Sequence, residues 1–70
     1  MYVKLKKAAG KHLPGYLIDN LDGMKIYNAS EWLHIRFSNT EPVVRIISES
    51  PKVNRTEELI KIGEALLNNL

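Results

Sequence analysis

Glu31-Trp32-Leu33-His34-Ile35-Arg36-Phe37-Ser38-Asn39-Thr40-Glu41-Pro42-Val43-Val44-Arg45-Ile46-Ile47-Ser48-Glu49 is the stretch of this 70-residue chain that decides its fold. Residues 31–37 alternate, with Leu33, Ile35 and Phe37 on one side and Trp32, His34 and Arg36 on the other. This period of two belongs to a half-buried strand. Residues 38–42 are a loop by composition, and Pro42 fixes the backbone where the chain enters a second strand, 43–49. A hairpin centred between Thr40 and Glu41 sets Phe37 opposite Val44 and Arg36 opposite Arg45. That register gathers Leu33, Ile35, Phe37, Val44 and Ile46 on the buried face, and a slip of one residue would scatter them.

Outward from the hairpin, Asn28-Ala29-Ser30 reads as a turn and Met24–Tyr27 as another alternating strand. Asp22-Gly23 is a tight-turn signal, and 16–21 is a first, weakly patterned strand. Residues 2–12 read as a helix with a narrow stripe of Leu5, Ala8 and Ala9 among lysines, ended by Pro14-Gly15. After Pro51 a helix is predicted over Val53–Asn69. Its packing face comprises Thr56, Leu59, Ile60, Gly63, Leu66, Leu67 and Leu70. The order helix, four strands, helix predicts an α+β fold: a four-stranded antiparallel sheet with both helices packed on one face.

Composition narrows the functional classes. A hydrophobic content of 44% is normal for a globular chain and speaks against disorder. With no cysteine, disulfides and thiolate metal sites are excluded. His12 and His34 have no ligand partners in pattern, so no metal site is expected. Neither a signal peptide nor a membrane-spanning stretch is present, which points to the cytoplasm. The net charge of +2 is unevenly placed: Lys4, Lys6, Lys7 and Lys11 lie in the first fifteen residues, and the remainder carries six basic against eight acidic side chains. A nucleic-acid binder builds its basic face into the domain body, so neither nucleic acid nor membrane is expected as a partner. Trp32, Tyr16 and Tyr27 read as packing residues.

The chemistry sits in the hairpin. Arg36 and Arg45 opposite each other place two like charges side by side, an unfavourable pair that an anion between them would reverse. Ser38 and Thr40 offer hydroxyls, Asn39 an amide, and the turn backbone N–H groups. The guanidinium fork matches phosphate oxygens. Glu41 does not fit as a phosphate ligand and instead suits holding an arginine or a loop amide in place. By residue chemistry alone the stretch equally fits a polar turn whose arginines form surface ion pairs, for instance with Glu41 and Glu49.

Arg-x-Ser-Asn-Thr-Glu-Pro-x-x-Arg over 36–45 resembles the phosphate-binding motif of the alpha-D-phosphohexomutases, the phosphomannomutase/phosphoglucomutase family. Asp22-Gly23-Met24-Lys25-Ile26, Trp32 and Ser48-Glu49-Ser50 are similar to the family's pattern around it, and the likeness covers roughly 16–67. Asn39 stands where many members have glycine, and Phe37 where a small residue or proline is usual. The resemblance implies that the chain is a C-terminal phosphate-binding domain, 1–70, with residues 1–15 either part of it or a linker helix from the preceding region. It implies that Arg36, Ser38, Asn39 and Thr40 grip a hexose phosphate's phosphate with Arg45 assisting, and that three other domains and magnesium belong to the parent enzyme. No serine-phosphate, magnesium or sugar-reading loop stands in these seventy residues. The chain is therefore expected to hold no catalytic residue and no cofactor, and to be inactive alone. The remaining readings are a small nucleic-acid-binding module and a protein-interaction module.

Overall fold

The computed structural model describes residues 2–38 and 40–68, and its elements run α1 (Tyr2–His12), β1 (Leu17–Asp19), β2 (Met24–Tyr27), β3 (Trp32–Phe37), β4 (Val44–Glu49) and α2 (Val53–Asn68). The four strands form one antiparallel sheet in chain order. The hairpin register is the expected one, with Phe37 opposite Val44 and Arg36 opposite Arg45.

Local chemistry sets the boundaries. β1 stops at Asp19, whose Oδ1 accepts the Leu21 N–H at 2.9 Å and turns the chain, so the expected strand over 16–21 is shortened and Leu21 stands in solvent. Asn28 does the same between β2 and β3: its Oδ1 accepts the N–H groups of Ser30 and Glu31, each at 2.9 Å. α1 closes with the Leu13 N–H on the Ala9 carbonyl at 2.7 Å. The expected ends of the second helix at Asn69 and Leu70 lie outside the described residues.

One face of the sheet carries the core. Met24 and Ile26 pair across the ladder with Ile35 and Leu33, and all four are fully buried. Leu5, Ala9 and Leu13 of the first helical segment and Leu59 and Leu66 of α2 close over them, so both helices lie on the same face. Each fully buried aliphatic side chain contributes about 1.5–3 kcal/mol over its exposed state. Leu13 extends the predicted stripe by one turn, because positions 5, 9 and 13 fall on one line of a 3.6-residue helix. Leu5, Ala9 and Leu13 thus share one core with the sheet and α2. Val44, expected on the buried face, is 39% exposed: it ends an edge strand and has a neighbour on one side only. Among the described residues no helix is long and apolar enough to cross a membrane.

In an up-and-down meander alternate turns share an end of the sheet. The β1–β2 turn at 20–23 and the β3–β4 loop at 38–43 therefore lie together, and the turns at 28–31 and 50–52 lie at the opposite end. That division separates the candidate site from the main polar cluster of the fold.

Candidate anion site

At the first of these ends, Arg36, Phe37, Ser38, Thr40, Arg45 and Asp22 line one open recess of about 290 Å³. Arg36 and Arg45 project from the sheet face opposite the helices, because their neighbours Ile35 and Ile46 face the core. The structure brings together Arg36, Ser38, Thr40 and Arg45 of the expected site. Asn39 lies outside the described residues.

The loop is organised by Ser38. Its N–H donates to the Val43 carbonyl at 3.1 Å, and Val43 N–H donates to the Glu41 carbonyl at 2.7 Å. Its Oγ accepts the N–H groups of Thr40 and Glu41 at 3.4 and 3.2 Å, and lies 3.4 Å from Thr40 Oγ1. The turn amides expected to be open are therefore engaged by the loop's own hydroxyl. These contacts are longer than the usual 2.9–3.0 Å, so a charged oxygen entering the loop competes favourably for the same donors.

The carboxylate beside Arg36 is that of Asp22, with Oδ1 3.9 Å from Arg36 Nε; both side chains are largely exposed. Neither Glu41 nor Glu49 pairs with Arg36 or Arg45 among the described residues, and Glu41 enters the loop through its backbone. His34 holds the Asp22 turn: its Nε2–H donates to the Asp22 carbonyl at 2.5 Å. Next along the outer face, the Lys25 ammonium lies 5.6 Å from the Tyr27 ring centre and 5.2 Å from that of Trp32, which accounts for those aromatics without a ligand.

At the opposite end lies a cluster that sequence reading missed. Glu31 is buried, and Arg55 Nε donates to both its oxygens, at 3.0 and 3.3 Å. The Tyr16 hydroxyl donates to Glu31 Oε2 and Ser50 Oγ donates to Oε1 at 3.4 Å. Arg55 also reaches Glu58 at 3.5 Å. Burial alone would push the Glu31 carboxyl up, but the bonds from Tyr16 and Arg55, the Arg55 charge and Ser50 together hold it below its usual range. Arg55 is pushed up by its bonds to Tyr16 and Glu31. A signal was available: a cation in the first turn of a helix opposes the macrodipole and calls for a partner.

The fold is thus a small α+β domain that sets two facing arginines over a serine-threonine loop. The sequence pattern of the family described as "Phosphoglucomutase/phosphomannomutase, C-terminal domain" matches residues 1–62, and the chain belongs to that family. The match begins at residue 1 and so takes in α1, where the motif-based resemblance began near 16. The chain is 42% identical over 53 residues to a phosphoglucomutase/phosphomannomutase of Thermococcus kodakarensis, covering 76% of this chain and 12% of that protein. It is 41% identical over 51 residues to a probable phosphoglucosamine mutase of Pyrococcus furiosus and 39% identical over 51 residues to one of Thermococcus gammatolerans, in each case covering 73% of this chain and 11% of the relative. The chain thus spans about an eighth or less of the relatives' length.

Proposed function

We propose that this chain grips the non-reacting phosphate of a hexose phosphate for a phosphohexomutase, while phosphoryl transfer proceeds on other domains of a longer protein. The observation that carries this reading is the facing of Arg36 and Arg45 across β3 and β4 over a recess also lined by Ser38 and Thr40. Two cations at adjacent ladder positions repel unless an anion lies between them. Phosphate oxygens accept from the guanidinium forks, from both hydroxyls and from the Thr40 and Glu41 amides as these leave Ser38. Asn39 adds an amide to the same loop, and Glu41 contributes by shaping it. Binding energy collected on the remote phosphate positions the reacting one. Arginines, hydroxyls and one carboxylate form a set for an anion and do not fit magnesium, and among the described residues no group of three His, Cys, Asp or Glu gathers elsewhere. We assign that ion to the longer protein. Hexose phosphates are charged cytoplasmic metabolites, and we place this chain in the cytoplasm with them.

Titration with inorganic phosphate, followed by backbone amides in NMR, tests this. Binding is expected at a Kd on the order of millimolar, about −4 kcal/mol, because an open recess leaves the charges screened by water. Shifts concentrate at 36–41 and at Arg45, and the sugar of a hexose phosphate adds almost nothing of its own to them. Arg36→Ala removes a charge-assisted bond and weakens binding at least about tenfold; Arg36→Lys restores only part, since a point charge does not reproduce the fork. Shifts centred on Lys4–Lys11 would instead mean general attraction to the lysine face of α1 and would sink the reading. Assayed alone with hexose phosphates, the chain turns over none of them; turnover that tracks the pure polypeptide would refute its non-catalytic role.

A further inference from the structure

The recess contains a group that an ordinary anion site would avoid. Asp22 lines it together with Arg36, Arg45, Ser38 and Thr40, so a bound oxyanion meets a carboxylate as well as two guanidinium groups. The carboxylate is not there by accident of a loose loop. The turn that bears it is fastened to β3 by the His34 ring on the Asp22 carbonyl at 2.5 Å. At Gly23 a Cβ would stand 2.5 Å from the Ile35 carbonyl oxygen, so the backbone of this turn is pressed directly against the strand that carries Arg36. Asp22 Oδ1 in turn sits 3.9 Å from Arg36 Nε, which leaves the terminal nitrogens of that fork for a ligand.

A carboxylate accepts and does not donate, whereas arginines donate and do not accept. An anion that fits both must bring one proton of its own. Resting on the phosphate reading above, we infer that Asp22 is the acceptor that makes this recess select an oxyanion bearing a hydroxyl over a fully ionised one. Inorganic phosphate carries such a hydroxyl at neutral pH, and a phosphate monoester carries one in its monoanionic form, below a second pKa of about 6. Sulfate has the same tetrahedral shape and carries no proton, so it sets bare oxygens against the carboxylate. The ligand class is then the protonated phosphate group, so a hexose phosphate enters as its monoanion, with its oxygens on Arg36, Arg45 and the loop and its hydroxyl on Asp22.

Parallel NMR titrations of the chain with phosphate and with sulfate at neutral pH and fixed ionic strength read this out. The wild-type chain is expected to prefer phosphate by about two- to tenfold, the worth of one net hydrogen bond. In Asp22→Asn, sulfate binding strengthens, phosphate binding does not, and the preference shrinks or inverts; Asp22→Ala repeats the comparison without the amide donor. Because Asp22 is exposed, the amide spectrum of each variant should report an unchanged fold. An unchanged phosphate-to-sulfate ratio in both variants overturns the inference and leaves Asp22 as no more than the ion-pair partner of Arg36. Equal weakening of both anions also overturns it, since that outcome assigns Asp22 to positioning alone. If neither anion shifts the loop amides even in the wild type, the phosphate reading itself fails, and this inference with it.

Discussion

Glu31→Gln lowers the stability of the chain by about 2–3 kcal/mol. Removing one partner of a fully buried ion pair costs about 3–5 kcal/mol, because the other charge is left uncompensated. Here the Arg55 side chain is 29% exposed and recovers some solvation, which places the expected loss below that range. For a chain of this size each kcal/mol moves Tm by roughly 4–8 °C, so thermal unfolding should come about 10–20 °C earlier. Tyr16→Phe, which removes one charge-assisted bond to the same carboxylate, costs less, about 1.5 kcal/mol. The pH dependence separates charge from packing. The Glu31 carboxyl is held below its ordinary value of 4.5 in the folded chain, so its ionisation contributes stability that is fully present above that value. As pH falls through the depressed folded value, the carboxyl takes up a proton and the contribution disappears. Denaturant unfolding of wild type and Glu31→Gln across pH 3–7 should therefore give a constant gap at neutral pH that narrows in acid. A gap of the same width at every pH would mean that Glu31 acts through shape rather than charge.

The location of this cluster explains why it was harder to read than the anion site. The Arg36–Arg45 facing follows from one hairpin: alternation at Leu33 and Ile35 fixes the register, and the register fixes which residues meet. Glu31 meets Tyr16 and Arg55 from 15 and 24 residues away, and only the docking of α2 and the path into β1 bring them together. Pattern within a strand does not contain that information. The turn at Asp22 was read as it stands, and its carboxylate's place at the recess was hidden for a different reason. Asp-Gly is so strong a turn signal that it accounts for the residue fully, and only the meander, which returns the β1–β2 turn to the end holding the 38–43 loop, makes its carboxylate a neighbour of Arg36. The loop amides were legible as donors but not as already engaged. A serine two residues before an amide offers its hydroxyl as a local acceptor, and at Ser38 it is used that way. What the sequence conveys well is therefore local period and register; what it conceals is which turns end up side by side.

That juxtaposition hangs on Gly23, and Gly23→Ala is expected to be among the most damaging single-methyl changes in the chain. Its φ of 75° is left-handed, where an L side chain costs about 1–2 kcal/mol. The added Cβ would also lie 2.5 Å from the Ile35 carbonyl oxygen, 3.1 Å from His34 Nε2 and 3.2 Å from Arg36 Cα. Two of these three atoms belong to the backbone of a central strand and cannot move aside as a flexible side chain would. Relief requires lifting the turn from β3, which breaks the His34–Asp22 bond and carries the Asp22 carboxylate away from Arg36. A loss of about 3 kcal/mol or more follows, a large share of the total stability available to a small domain. Gly15 supplies the control, because its φ of 86° is equally left-handed but nothing lies within 4 Å of a Cβ added there. Gly15→Ala should therefore cost only the conformational term, about 1–2 kcal/mol, and leave the loop amides unshifted. Equilibrium unfolding of the two variants measures the difference, and the NMR spectrum of Gly23→Ala should show displaced amides at 34–38 as well as at the turn. Equal losses for the two would mean that the turn does not bear on β3, and that the carboxylate at the recess is held there by something other than this contact.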